Sequence, residues 1–287
     1  MKLFYKKLIY ILFIFILTGF YACKPKLSYT SPKGYDLNHP EKFNMPESLH
    51  EISGIAFYHN RSDTVYSIQD EDGRLFKQAW DVKKQSSLKF GKNGDYEDVA
   101  IANEVVYVLN SSGSIHSFPL SETQYEKTEQ ATTWKELVPK GEYESLYADE
   151  AAQQLYVLCK QCKVDAKSPT ATGYILDFKD STNLVASGTF SIDLRPLKDM
   201  AEELKKGLKA SAMSKHPITG DWFILSSVNK LLVIVGADWK IKEAHRLDSS
   251  LFNQPEGITF DKANNLYISN EGDELKAGNI LKFNYKP

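Results

Sequence analysis

Five copies of one pattern run through the chain: a short apolar strand, a turn, a second strand, a polar loop and a third strand. They predict an all-β protein, a five-bladed β-propeller of four-stranded blades. The copies begin roughly 45 residues apart, within the ~40–50 residues of a propeller blade. Tyrosine and phenylalanine are abundant, at 16 and 15 residues, and no long helical periodicity competes with the short strands.

The first strands of the copies fall at 53–57, 97–101, 144–148, 211–214 and 256–260. The second strands follow at 64–68, 105–109, 155–158, 222–225 and 266–269, and the third at 74–76, 114–116, 173–176, 230–233 and 278–281. The wider gap between the third and fourth copies holds residues 196–208, PLKDMAEELKKGL, where Leu197, Met200, Ala201 and Leu204 recur at helical spacing between charges. This predicts a short amphipathic helix packed on the outside. The last copy ends just after its third strand, while residues 35–45 precede the first strand and are spare. An N-terminal strand is therefore expected to complete the last blade and close the ring, leaving no unpaired edge. A six-bladed or incomplete propeller, or a two-sheet arrangement, are the alternatives.

At the N-terminus, Lys2, Lys6 and Lys7 precede an apolar run from Leu8 to Phe20, too short for the ~20 residues of a comfortable membrane span. Residues 1–22 read as a secretory signal peptide. Cys23 directly after Ala22 is similar to a bacterial lipoprotein signal, in which that cysteine is lipidated and anchors the chain to a membrane. An uncleaved anchor, or ordinary cleavage leaving a free thiol, stays open beside it. Residues 23–33 then form a linker and 34–287 a single propeller domain, placed in the cell envelope on the periplasmic or surface side. The remaining cysteines, Cys159 and Cys162, form one CxxC pair without a second pair to complete a zinc site. A local disulfide and two free thiols are both compatible with that spacing. The formal net charge of −2 supplies no field to attract nucleic acid.

Several stretches together resemble the SdiA-regulated domain family: Glu51-Ile52-Ser53-Gly54-Ile55, Gly94-Asp95-Tyr96-Glu97-Asp98-Val99-Ala100, His216-Pro217-Ile218-Thr219-Gly220-Asp221, Ser226-Ser227-Val228-Asn229-Lys230 and Gln254-Pro255-Glu256-Gly257-Ile258. The resemblance implies a β-propeller distantly similar to NHL-repeat propellers, with a calcium site in some members. It also implies a secreted or membrane-anchored bacterial protein of undefined biochemical role.

Aligning the copies places Glu97, Glu144 and Glu256 at the same step of three inner strands, with Ser53 and Ser211 at that step in the other two. Inner strands line the axis of a propeller, so three carboxylates are expected to meet at one end of it. Such a group either raises its pKa values or takes a cation. Its all-oxygen donors suit calcium, and the lack of a histidine argues against zinc. Each glutamate could instead simply accept hydrogen bonds at its strand start. Asp70 and Glu271, in two echoing acidic loops after second strands, are further candidate metal ligands. No GxSxG elbow or HExxH motif is present. The expected function is that of a binding or scaffold module with an unidentified small-molecule or protein ligand. The alternative is a metal-dependent hydrolase of lactones or small esters, with Glu97, Glu144 or Glu256 as base or metal ligand.

Overall fold

In the computed structural model, residues 29–80, 85–180, 183–200 and 207–287 are described. The expected signal peptide and Cys23 lie outside them. Twenty strands follow one another: β1 (Glu41–Asn44), β2 (Ile52–Ala56), β3 (Val65–Gln69), β4 (Arg74–Gln78), β5 (Ser86–Lys89), β6 (Tyr96–Ala102), β7 (Val105–Asn110), β8 (Ile115–Pro119), β9 (Thr132–Trp134), β10 (Gly141–Asp149), β11 (Gln154–Cys162), β12 (Thr170–Asp180), β13 (Asn183–Asp193), β14 (Ala212–Lys215), β15 (Trp222–Ser226), β16 (Leu231–Val235), β17 (Ile241–Arg246), β18 (Pro255–Phe260), β19 (Leu266–Asn270) and β20 (Asn279–Phe283). They form five antiparallel sheets of four: β2 to β5, β6 to β9, β10 to β13, β14 to β17, and β18 to β20 completed by β1. These sheets are blades I to V of a five-bladed β-propeller.

The second and third strands of each blade are rich in Val, Ile, Leu and aromatic residues because both faces of the sheet are covered by neighbouring blades. The core accordingly consists of five apolar clusters, one between each pair of adjacent blades. The outer strands carry sequences such as Ser-Ser-Leu-Lys in β5 and Ile-Lys-Glu-Ala-His-Arg in β17, and stay partly exposed.

Closure is as expected from the spare N-terminal segment. β1 pairs with β20 from Glu41 opposite Lys282 to Asn44 opposite Asn279. Upstream of it Tyr35 is buried between blades IV and V, where its hydroxyl donates to the Asn264 carbonyl at 2.7 Å and lies 2.9 Å from His216 Nε2. The His216 Nδ1 accepts from the Ile218 and Thr219 amides, so Nε2 carries the proton and donates to Tyr35. The inner strands contact one another in the cyclic order β2, β6, β10, β14, β18, β2, and the ring is complete within residues 29–287.

Two glycines let inner strands approach. A Cβ on Gly54 would lie 2.4 Å from Asp98 Oδ1 and 2.6 Å from the Asp98 Cα in the next blade; one on Gly257 would lie 2.7 Å from the Ser53 carbonyl oxygen. Only a residue without a side chain fits there.

The gap between blades III and IV holds the beginning of the expected helix together with two lengthened strands. β12 and β13 are eleven residues each, longer than their counterparts, and absorb part of the extra chain. The described helix, α1, spans only Leu197–Met200, with Leu197 buried and Met200 exposed; residues 201–206 lie outside the described residues. Among the described residues no helix is long and apolar enough to cross a membrane.

Candidate functional site: an acidic mouth at the propeller axis

The three glutamates singled out in the sequence share a structural cause. In β6 Tyr96 pairs with Asn110 and Asp98 with Leu109; in β10 Tyr143 pairs with Cys159 and Ser145 with Leu158; in β18 Pro255 pairs with Asn270 and Gly257 with Ser269. Glu97, Glu144 and Glu256 are therefore the inserted residues of three equivalent β-bulges. A bulge breaks the alternation of a strand and re-aims one side chain. Here the same device acts in three blades at the same end of the inner strand. Between Ile52 and Ile55, β2 is also bulged, at Ser53-Gly54, and Ser53 Oγ donates to the Glu97 carbonyl. The remaining member of the ring, Ser211, donates to the Pro255 carbonyl at 2.7 Å. The two serines thus tie neighbouring inner strands together, and the glutamates supply the charge.

The register defines a second ring. One step beyond the partners Gln69, Asn110, Cys159 and Asn270 stand Asp70, Ser111, Lys160 and Glu271. Asp70 and Glu271 thus reach the same end of the propeller, and each raises the pKa of the glutamates or carboxylates near it. Lys160 is the residue that sequence reasoning missed. It sits inside the CxxC pair, and its ammonium forms ion pairs with Glu144 and, at 3.3 Å, with Glu142. Aligned against Asp70 and Glu271 at the exit of the second strand, it stands out as the one cation at that step. Cys159 and Cys162 are joined in a disulfide across the four residues that present it.

Burial dominates the electrostatics. It pushes the Glu97 carboxyl up to about 9, with Glu144, Asp95 and Glu256 adding repulsion. Burial, then Glu144 and Glu271, pushes Glu256 up to about 8 against a hydrogen bond from Ser227. Glu144 rises only to about 6, because Lys160 opposes its burial. Burial works against the Lys160 ammonium too, but Glu144 and Glu142 more than compensate and hold it charged. Glu271 is raised to about 7 by burial and then by Asp70, Glu51 and Glu144; Asp70 is raised to about 6 by burial and then by Glu51 and Glu71. The mouth is one coupled acidic system.

Asp98, next to Glu97, does different work. It is buried, and its two oxygens accept the Val99 and Leu146 amides at 2.8 Å each, tying β6 to β10. Burial raises its pKa well above the usual range, while these two bonds pull it down. Its role is structural.

Chemically, the mouth offers carboxylate and amide oxygens, which suit a hard cation. Asp70 Oδ1 and Asn270 Oδ1 are buried without any hydrogen-bond partner, so two acceptors there are unsatisfied. The fit has a limit: among the described residues no three His, Cys, Asp or Glu side chains converge closely enough to form a ready metal cage. Glu144 is paired with Lys160, whereas Glu97 and Glu256 make no ion pair among the described residues; Lys160 acts on both from a distance, and the Lys230 ammonium, which donates to the Asn253 carbonyl, is near enough to Glu256 and Glu271 to be coupled to them.

The profile of the SdiA-regulated family matches residues 32–274, most of the chain and nineteen of the twenty described strands. The chain belongs to the SdiA-regulated family. No curated protein sequence matches it significantly. Among solved structures it is similar to glutaminyl cyclase from Myxococcus xanthus, with a TM-score of 0.56 and 10% identity over 86% of this chain and 96% of that one. It is also similar to a luciferin-regenerating enzyme, with a TM-score of 0.51 and 11% identity over 86% of this chain and 95% of that one. At these identities the likeness concerns the fold alone.

Proposed function

We propose that this family member is a binding module of the cell envelope, anchored through Cys23, whose ligand docks at the acidic mouth around a calcium ion. The observation that carries this reading is the repetition of one bulge in three blades, each time inserting a glutamate into a buried ring. Desolvated carboxylates that repel one another favour either protons or an incoming cation. Glu97 and Glu256 would hold the ion, with Asp70, Glu271 and the Asn270 amide oxygen as further oxygen donors. The calcium would supply charge neutralisation and a fixed point for an anionic or hydroxyl-bearing ligand. Lys160 keeps Glu144 ionised and limits how much additional positive charge the mouth accepts.

The test is thermal unfolding of protein beginning at residue 24, with EDTA and with millimolar calcium. Binding to the folded state raises the melting temperature, as linkage requires, and Glu256→Gln abolishes the rise. An unchanged melting temperature contradicts the calcium site.

A second reading is favoured by Glu144 and Glu271, raised to about 6 and about 7, where a carboxylate serves as general base near neutral pH. That is metal-dependent hydrolysis of lactones or small esters. It predicts calcium-dependent turnover of an aryl-ester or lactone panel, lost in Glu256→Gln while the fold survives. The binding reading predicts no turnover to lose.

A further inference from the structure

Blade III differs from the other blades at the mouth. Blades I, II and V bulge there on the inner strand only. In blade III Glu142 pairs with Gln161, Tyr143 with Cys159 and Ser145 with Leu158. The register thus passes over Glu144 on β10 and, one step away, over Lys160 on β11. Two bulges on facing strands aim these side chains at each other. The Lys160 ammonium meets Glu144 and lies 3.3 Å from Glu142. The contact is shielded from water, with the Glu144 side chain 8% exposed and that of Lys160 22%.

The Cys159–Cys162 disulfide spans the same bulge, with Lys160 and Gln161 inside its closed loop. A bulged residue has no cross-strand partner to hold it, so the covalent loop fixes this one. Both cysteines belong to the apolar core between blades II and III, and a Cβ on Gly141 would lie 2.5 Å from Cys162 Sγ. The clamp is therefore packed against bare backbone of the inner strand. Cys162 is the last residue of β11, beside the exposed Lys163 and Val164, and presents the sulfur that an attacking thiolate reaches first. A dithiol gives up two electrons and two protons: it closes to its own cyclic disulfide as the Cys159–Cys162 bond opens to two thiols. Without that bond, β11 is free to take the regular register in which Lys160 stands opposite Glu142. This one-residue shift withdraws the ammonium from Glu144.

We infer that this disulfide is a redox-sensitive clamp on the axial mouth. Oxidised, it holds Lys160 on Glu144 and keeps the cation affinity of the mouth low. Reduced, it releases Lys160 and leaves Glu144 beside Glu97 and Glu256 as a third carboxylate open to a cation. The change in affinity rests on the cation-binding reading of the mouth, whereas the release of Lys160 does not.

Two measurements on protein beginning at residue 24, oxidised or reduced with dithiothreitol, test it. In EDTA, a pulse of acetic anhydride followed by peptide mass spectrometry reads the acetylation of each lysine. Lys160 is expected to react several times faster after reduction, while Lys215, paired with Asp149 at 2.9 Å at the opposite end of the propeller, keeps its rate. The Cys159→Ser/Cys162→Ser variant should behave as the reduced protein in either buffer. In calcium titration calorimetry the reduced protein should bind about tenfold more tightly, the order expected when one ammonium leaves a partly solvated site. Lys160→Met should bind tightly in both states. An unchanged Lys160 rate overturns the inference, as does a matching rise at Lys215, which signals general loosening. Equal calcium affinity in the two states, or a redox response that Lys160→Met retains, overturns it too. Calcium that binds neither state while Lys160 is released contradicts the cation-binding reading and leaves the clamp in place.

Discussion

Replacing Glu256 by glutamine removes one titrating group from the mouth while keeping its shape and an acceptor for Ser227. In the unfolded chain Glu256 titrates near 4.5; burial and its acidic neighbours raise it to about 8 in the folded protein. The folded state therefore holds this proton more tightly than the unfolded state does. The stability that it contributes is fully present below pH 4.5 and is lost as pH rises toward 8. In that window one group changes stability by about 1.4 kcal/mol per pH unit, so roughly 2.5 kcal/mol disappears between pH 5 and 7. Solvent reaching the mouth and the coupling to Glu97 and Glu144 reduce this to on the order of 1–2 kcal/mol. Urea unfolding in EDTA at a series of pH values measures it. Glu256→Gln should match the wild type near pH 5 and become progressively more stable than it toward pH 7. A difference between the two proteins that stays constant with pH refutes a buried, proton-holding glutamate at this position.

Two further outcomes follow from the blade contacts. Asp98→Ala leaves the Val99 and Leu146 amides without acceptors inside the ring, at about 1–3 kcal/mol per unsatisfied group, so chemical denaturation should show a loss of about 3 kcal/mol; a loss under 1 kcal/mol would mean that water replaces the carboxylate. Reducing the Cys159–Cys162 disulfide with a dithiol opens only a four-residue loop, for which chain entropy gives about 2 kcal/mol, read as a shift of the urea midpoint absent from the Cys159→Ser/Cys162→Ser variant.

The architecture was legible because each blade repeats apolar strands at a fixed spacing, and because the last copy lacks a strand that the N-terminus has to spare. Glu97, Glu144 and Glu256 were legible for the same reason: they recur at one step of the repeat. What the spacing could not reveal is why they point inward. That depends on bulges, which exist only once Tyr96, Tyr143 and Pro255 have found their cross-strand partners. Lys160 was hidden inside a CxxC pair, a spacing that signals metal or redox chemistry at the cysteines and not a charge between them, although its place after a second strand matches that of Asp70 and Glu271. Asp98 was hidden by its neighbour: its value lies in two amides, one of them 48 residues away. The polar outer strands escaped because they cover only one face and carry little apolar signal.

Under the proposed function, a cation that enters the mouth replaces protons that Glu97 and Glu256 hold at neutral pH. Calcium titration calorimetry at pH 7, repeated in two buffers of different ionisation enthalpy, measures binding and proton release together. With carboxyls raised to about 9 and about 8, binding of one calcium ion should release between one and two protons, and Glu256→Gln should release fewer and bind more weakly. Calcium that fails to bind, or that binds without releasing protons, contradicts the claim.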